Sequence, residues 1–504
     1  MSSLSIDPGR DDVVRVARLL ADRLPAPVRP LAAVAYNYWW TWQTDGQAVF
    51  AAIDSARWER WGHNPVRLLR EAPVGILRAA AADSSLVAAV ERLALGLEAE
   101  LARPPRTGPI PADHPVAFLC AEFAIHASLP VYSGGLGVLA GDLLKQASDV
   151  ALPMIGVGLL YRTGYFHQRL DTSGFQHEYW TEPDPESLPC VLVTAPDDQP
   201  VRVTVPIQDE DVAVQVWRVY VGRVPLYLLD SDLDENSEVG RWVTSRLYEG
   251  NREVRLAQYA VLGVGAPRVL RTLGVEPSVY HLNEGHPALA AVELVGQRLE
   301  EGVDSEEAWR RVRSSLVFST HTPVAAGNET YARSEFERIL GRVTDLTGDR
   351  ERVLAMGRTE PSDTGAALGL SALALRASRS VNGVSRRHGQ VARAMWQGCW
   401  PGRAVDDVPI THVTNGVHTP TWVRHPLREL LDERLGAGWL ERADDPRTWE
   451  AIGDIPDEEL WRRRNDLRRR LIDHVRVRAT RDRLRRGKTS ATPRRPSTGS
   501  IRRY

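Results

Sequence analysis

The stretch 116–168, VAFLCAEFAIHASLPVYSGGLGVLAGDLLKQASDVALPMIGVGLLYRTGYFHQ, leaves this chain the fewest choices of fold. Val116 to Leu119 is an apolar run of strand length. Glu122 follows, then a loop of small residues with Ser133, Gly134, Gly135 and Gly137. The spacing predicts a helix over about 138–150 and a second apolar strand over 154–160. Strand, glycine loop, helix, strand is the unit from which parallel sheets are built. Paired glycines let backbone N–H groups approach an anion or a sugar where a helix dipole is positive. The glycine pattern alone is weak; Glu122, His126 and the aromatic-rich segment 161–167 make it a candidate binding site.

Composition removes several classes. A chain of 504 residues has length for roughly two to four domains and a large core. Its formal net charge of −2 gives no argument for binding nucleic acid or a membrane. No segment approaches the roughly 18 consecutive apolar residues of a membrane span. Cys120, Cys190 and Cys399 are too few and too irregular for a disulfide scaffold or a zinc site, so a cytoplasmic location is expected. The opening MSSLSIDPGRDD lacks the basic start and apolar core of a signal peptide. Fifteen tryptophans against seven phenylalanines leave two readings open: core packing, the commoner use, or stacking on sugar rings.

Residues 11–103 read as helical throughout, with Tyr38, Trp39, Trp40 and Trp42 inside one short segment that is either an aromatic core or a carbohydrate surface. A proline-rich linker follows over 103–115. Over 190–230 the apolar period becomes two, predicting an antiparallel insertion or extension on the main sheet. A helix is expected over 241–264, broken at Pro267. Strands over 278–282 and 316–320 deliver HLNEGHPA and HTPVAAGNE at their C-terminal ends, where open parallel sheets place their ligands. Residues 371–396 read as helical, 409–414 as a last strand, and 458–486 as an amphipathic helix. The basic tail 487–504 has almost nothing to bury and is expected to be disordered.

AEFAIHASLPVYSGGLGVLAGD, GVGLLYRTGYFHQ, HLNEGHPA, STHTPVAAG, VNGVSRRHG and VTNGVHTPTW, in that order, resemble the α-glucan (glycogen and maltodextrin) phosphorylases, in particular the bacterial short type that carries a helical segment like NYWWTW ahead of the main fold. The resemblance covers about 31–486. It implies an α/β fold: the N-terminal Rossmann-like half of a two-domain GT-B glycosyltransferase, preceded by a small all-α domain. The implied layout is a helical domain at 1–107, the phosphorylase domain at 116–456 with its β insertion near 190–230, and an interdomain-type helix at 457–486. The implied activity is reversible phosphorolysis of an α-1,4-glucan or maltodextrin to glucose 1-phosphate, with inorganic phosphate as partner, no nucleic acid or membrane, and oligomers allowed. The family cofactor is pyridoxal phosphate.

Residue by residue, the resemblance implies that Gly134, Gly135 and Leu136 form the loop beside phosphate and sugar. It makes His321 the catalytic histidine near the glucosyl residue, with Asn283, Glu284 and His286 lining the cleft. Each has a plainer alternative. His321 could be a core histidine, Glu284 and His286 supports for the loop, Glu122 half of a buried ion pair with an arginine, and the glycines a means of close packing. Asn382 and Arg386 read as structural. The family usually has other residues where Ala127, Ala325 and Asn251 stand.

The family's Schiff-base lysine lies in a second Rossmann-like domain. This chain leaves the family pattern near 486–488, and Lys145 is its only lysine before Lys488. The expectation is therefore a truncated, inactive fragment without covalently bound pyridoxal phosphate. The competing readings are a non-catalytic glucan-binding module and a nucleotide-sugar glucan synthase. The synthases usually carry a lysine where Tyr132 stands. SGGLG lacks the G-x-G-x-x-G spacing of a dehydrogenase.

Overall fold

The structure, a computed structural model, describes residues 10–486 apart from 424 and 437; the basic tail lies outside the described residues. The chain forms two compact units, one of residues up to Tyr165 together with Trp180–His418, the other of Phe166–Tyr179 together with the chain from Thr419 onward.

The first unit is organised by a ten-stranded sheet. Its strands are β1 (Val116–Leu119), β2 (Met154–Leu159), β3 (Val191–Leu192), β4 (Arg202–Ile207), β5 (Glu210–Val221), β6 (Val224–Asp230), β7 (Val279–Asn283), β8 (Leu316–Thr320), β9 (Ser380–Gly383) and β10 (Thr411–His412). The spatial order is β10-β9-β8-β7-β1-β2-β6-β5-β3, with β4 on β5. From β10 to β6 all pairs are parallel, and the pairs made by β5 are antiparallel. Parallel strands are covered on both faces, which is why β1 is apolar at every position and buried at every position. The register sets Leu119 beside Leu282, Asn283 beside Ser319, and Thr320 beside Gly383. The loops leaving β1, β2, β6, β7, β8 and β9 therefore share one edge.

Seven α-helices over Arg10–Ala102 precede β1. Tyr38–Trp42 is a 3₁₀ turn whose Asn37 cap accepts from the Trp39 N–H at 2.9 Å. Trp40 is fully buried against Phe50 and Trp58, ring centroids 5.1 and 5.8 Å away. The aromatic run is core and not a sugar surface. Asn37 also donates to the Gly222 carbonyl and accepts from its N–H, both at 2.9 Å, which ties this turn to the β5–β6 hairpin.

Four expectations need correction. The helix after the glycine loop begins at Gly135, so the loop is its N-terminus. The stretch 190–230 extends the main sheet, as one of the two readings had it, but it is not wholly antiparallel, because β6 runs parallel to β2. The helix expected over 241–264 is two: Glu238–Trp242, then Arg252–Thr272 after a loop. The second runs through Pro267, because burial along its length outweighs one lost backbone hydrogen bond. Residues 371–396 are not one helix: Leu370–Ala377 and Arg386–Trp396 flank β9, where Asn382-Gly383 breaks the helical pattern.

The second unit contains the hairpin His167–Leu170/Gln176–Tyr179 and the helices His425–Leu435 and Asp457–Arg485. Its core holds Trp439, which donates to Asp432 at 2.7 Å and meets Trp449 edge-on. Along the long helix Trp461, Leu471, Ile472, Val475 and Val477 are exposed. No helix among the described residues is long and apolar enough to cross a membrane.

Candidate functional site

The site builds from the end of β1. Three residues beyond it, Glu122 is buried, and no arginine pairs with it among the described residues. One carboxylate oxygen accepts from the N–H groups of Ser133 (2.7 Å) and Gly134 (3.1 Å); the other accepts from the Tyr248 hydroxyl at 2.7 Å. The glycine loop is thus pinned from below by a carboxylate at a helix N-terminus, where negative charge is favoured. A Cβ on Gly137 would sit 2.7 Å from the Glu122 carboxylate, and one on Gly141 would sit 2.3 Å from the Ala124 carbonyl, so these two glycines serve packing. Gly134 and Gly135 are different: a Cβ on either would meet nothing within 4 Å. They are not needed for packing and leave backbone open to an approaching molecule. Leu136 is half-buried against the core.

The end of β7 brings Asn283, Glu284 and His286. Asn283 donates to the Cys120 sulfur at 3.1 Å, and its Oδ1 lies 2.6 Å from Nε2 of His321. Glu284 adopts a left-handed backbone (φ 66°), with its N–H bonded to the Ser319 carbonyl at 2.9 Å. Its Oε2 accepts from the His321 N–H (2.9 Å), the Thr322 N–H (3.0 Å) and the Thr322 hydroxyl (3.1 Å). Glu284 therefore shapes the loop after β8. His286 stacks on Tyr259 with centroids 4.8 Å apart, and its Nδ1 is buried without a partner among the described residues.

His321 follows β8 directly, and burial lowers its pKa, as it does that of His286. Beneath it, His281 lies 2.8 Å from the Ser319 hydroxyl, which donates to Asn382 at 2.9 Å; burial pushes His281 down to about 4. His388, buried beyond β9, takes the Val384 N–H on Nδ1 and leaves Nε2 without a partner among the described residues. The arrangement is a polar, hydrogen-bonding surface with two orphaned imidazole nitrogens, suited to hydroxyl-rich ligands.

The structure thus gathers Glu122, Asn283, Glu284 and His321 into one hydrogen-bonded edge, joined to the loop at 133–134. It takes His126 elsewhere: that ring lies 5.0 Å from Trp40 in the N-terminal core, and burial pushes it to about pKa 3. Sequence reasoning missed Tyr248 and His388. Tyr248 has no local signal, since its partner is far away in the chain. His388 lies in VNGVSRRHG, where Ser385, which accepts its N–H at 3.0 Å, could have marked a capped helix.

Fold and geometry together define an α/β protein whose candidate site lies on the C-terminal edge of the parallel strands of its main sheet. Residues 270–478 match the family described as carbohydrate phosphorylase, and residues 24–129 match a family described as a protein of unknown function (DUF3417). Over 465 residues the chain is 37% identical to the maltodextrin phosphorylase of Thermococcus litoralis, covering 91% of this chain and 55% of that one. Over 493 residues it is 39% identical to the glycogen phosphorylase of Mycobacterium tuberculosis, covering 93% and 56%. The glycogen phosphorylase of Aquifex aeolicus is 35% identical over 447 residues, covering 88% and 64%. The chain is similar to these phosphorylases over 88% to 93% of its own length, and it spans 55% to 64% of theirs.

Pyridoxal phosphate, typical of the family, requires a lysine amine open to its aldehyde. Lys145 is the sole lysine among the described residues. It is 3% exposed on the helix after the glycine loop, with its amine 5.8 Å from the centroid of Trp42. The described residues do not fit covalent attachment of the cofactor.

Proposed function

We propose that this chain carries the sugar-facing half of an α-glucan phosphorylase, a Rossmann-like half of a two-domain GT-B fold with a small all-α domain ahead of it. The substrates are then an α-1,4-glucan or maltodextrin and inorganic phosphate, and the product is glucose 1-phosphate. One observation carries the reading: Asn283, Glu284 and His321 form a single hydrogen-bonded unit on the sheet edge beside the open Gly134–Gly135 loop. Glycosyl transfer to phosphate passes through positive charge on the sugar, and neutral polar groups with oriented dipoles stabilise that charge between anions better than solvent does. In this reading His321 hydrogen-bonds the terminal sugar, while Gly134, Gly135 and Leu136 admit the sugar and an anion. Asn283 and Glu284 orient His321, and His286 lines the cleft. Catalysis needs a cofactor lysine that the described residues do not supply.

The test is calorimetric binding of maltoheptaose to the purified chain, alongside glucose 1-phosphate release from maltodextrin, phosphate and added pyridoxal phosphate. Saturable binding lost on His321→Ala supports the reading. Binding indifferent to His321→Ala, or sugar transfer from a nucleotide sugar, overturns it. Binding without turnover is the outcome expected of this chain alone, and it is also what a non-catalytic glucan-binding module would show. The burial of Lys145, the sole lysine among the described residues, is the observation that favours that second reading.

A further inference from the structure

Beside the candidate site, on the same sheet edge, lies an aromatic patch that the site itself does not use. The loop after the Glu238–Trp242 helix is tied to the end of β2: the Arg162 N–H donates to the Thr244 carbonyl (3.0 Å), the Thr163 N–H to Ser245 (2.9 Å), and the Leu247 N–H to Gly164 (3.3 Å). Gln258 adds a bond to the Arg246 carbonyl at 2.7 Å. Trp242 ends the helix, and the fixed loop after it carries Arg246 and Tyr248. The Arg246 guanidinium lies 4.5 Å from the ring centroid of Trp180 and 5.5 Å from that of Trp242. Both rings nevertheless remain 40% and 42% exposed.

Two large indoles in water, held in place by a shared cation, are uncommon on a surface that serves only solubility. A planar apolar face flanked by a fixed guanidinium matches a pyranose: the ring C–H face stacks on indole, and the hydroxyls accept from the guanidinium. Tyr248 connects this patch to the site, because its hydroxyl donates to Glu122, which holds the glycine loop.

We infer that Trp180, Arg246 and Trp242 form an accessory glucan subsite that binds sugar units of a chain whose end lies at His321. This inference rests on the function proposed above. It makes a specific demand: the patch contributes only to chains long enough to reach from the site across Tyr248, and nothing to short ones.

The experiment is calorimetric titration of the full chain with maltotriose and maltoheptaose, using wild type, His321→Ala and the double variant Trp180→Ala/Trp242→Ala. Both rings are half-exposed, so the double variant should melt with the wild type. Its maltoheptaose affinity should fall by about tenfold or more while its maltotriose affinity stays within about twofold. Replacement of both rings by phenylalanine should restore most of the loss. An unchanged maltoheptaose affinity overturns the inference, as does an equal loss for both sugars. If the patch instead buries a second copy of the chain, the double variant will change the oligomeric state and not the sugar affinity, which also overturns it. Maltoheptaose binding that survives His321→Ala and is lost in the double variant would remove the site reading while leaving the patch. The reverse pattern removes the patch alone.

Discussion

The Oδ1 of Asn283 lies 2.6 Å from Nε2 of His321, and this contact fixes what the histidine can do. Asn283 spends its N–H on the Cys120 sulfur, whose thiol in turn donates to the Glu122 carbonyl at 3.1 Å. Burial pushes that thiol up to about 12, so it stays protonated. With each donor assigned, Asn283 can only accept from His321, so Nε2 carries the proton and Nδ1 is left as an acceptor for a sugar hydroxyl. Asn283→Ala should lower maltoheptaose affinity by about tenfold. Asn283→Asp should raise the His321 pKa, which burial holds low in the wild type, and so shift the pH dependence of the affinity toward higher pH. Imidazole NMR titration checks this, and an unmoved His321 resonance would refute it.

Glu284 tests loop shaping separately from sugar contact. Its Oε2 gathers three donors from His321 and Thr322. Glu284→Ala leaves them without an acceptor and should destabilise the chain by about 2–4 kcal/mol. Glu284→Gln retains an oxygen and should cost about 1 kcal/mol. Urea denaturation measures both, and an alanine variant as stable as wild type would show that the loop holds itself.

The glycines should divide by role. Gly137→Ala places a methyl group 2.7 Å from the Glu122 carboxylate and 2.9 Å from Tyr132, so stability should drop by about 1–3 kcal/mol. Gly135→Ala meets open space inside a helix, so its stability should match or exceed wild type. Its glucan affinity should nevertheless fall. Equal affinity in the Gly135 variant would show that nothing approaches that backbone.

Much of this was legible in sequence because the signals are local. Val116–Leu119 is all apolar because it is covered on both faces, and Leu316–Thr320 is read to the residue. The loops after those strands hold Glu122 and His321. The rest was hidden where the signal is not local. Tyr248 meets Glu122 only through the fold, and β9 pairs with β8 although it sits between two helices that share one apolar pattern. His126 looked like a site residue for being near the glycines in sequence. Its surroundings are set by Trp40, from a part of the chain that the local pattern does not reach.

Two histidines predict how stability responds to acid. Burial holds His281 near pKa 4 and His126 near 3, below the roughly 6.5 of an unfolded histidine. The folded state therefore binds fewer protons than the unfolded state once the pH falls below about 6.5, so the stability they contribute is complete above that value and is lost toward pH 4 and below. Unfolding free energy should decline as the pH falls from about 6.5, and the part of the decline above about pH 5.5 lies where carboxylates scarcely titrate. His126→Gln should flatten the decline. A level profile for the wild type would show that these rings protonate without opening the fold.

The last prediction concerns Lys145. An imine with pyridoxal phosphate needs an exposed, unprotonated amine, and Lys145 is 3% exposed with its charge over the Trp42 ring. That ring is itself fixed: its indole N–H donates to Asp149 at 3.0 Å, and His418 meets it edge-on at 5.5 Å while lying 3.0 Å from the other oxygen of Asp149. Moving the amine outward would open this cluster, which joins the helix after the glycine loop to both the aromatic turn and His418. Incubation of the chain with pyridoxal phosphate, followed by borohydride reduction and peptide mass spectrometry, should leave Lys145 unmodified under native conditions. Modification should appear once urea unfolds the chain. A native Lys145 adduct formed in proportion to phosphorolysis would mean that the cluster opens and that this lysine serves the cofactor after all.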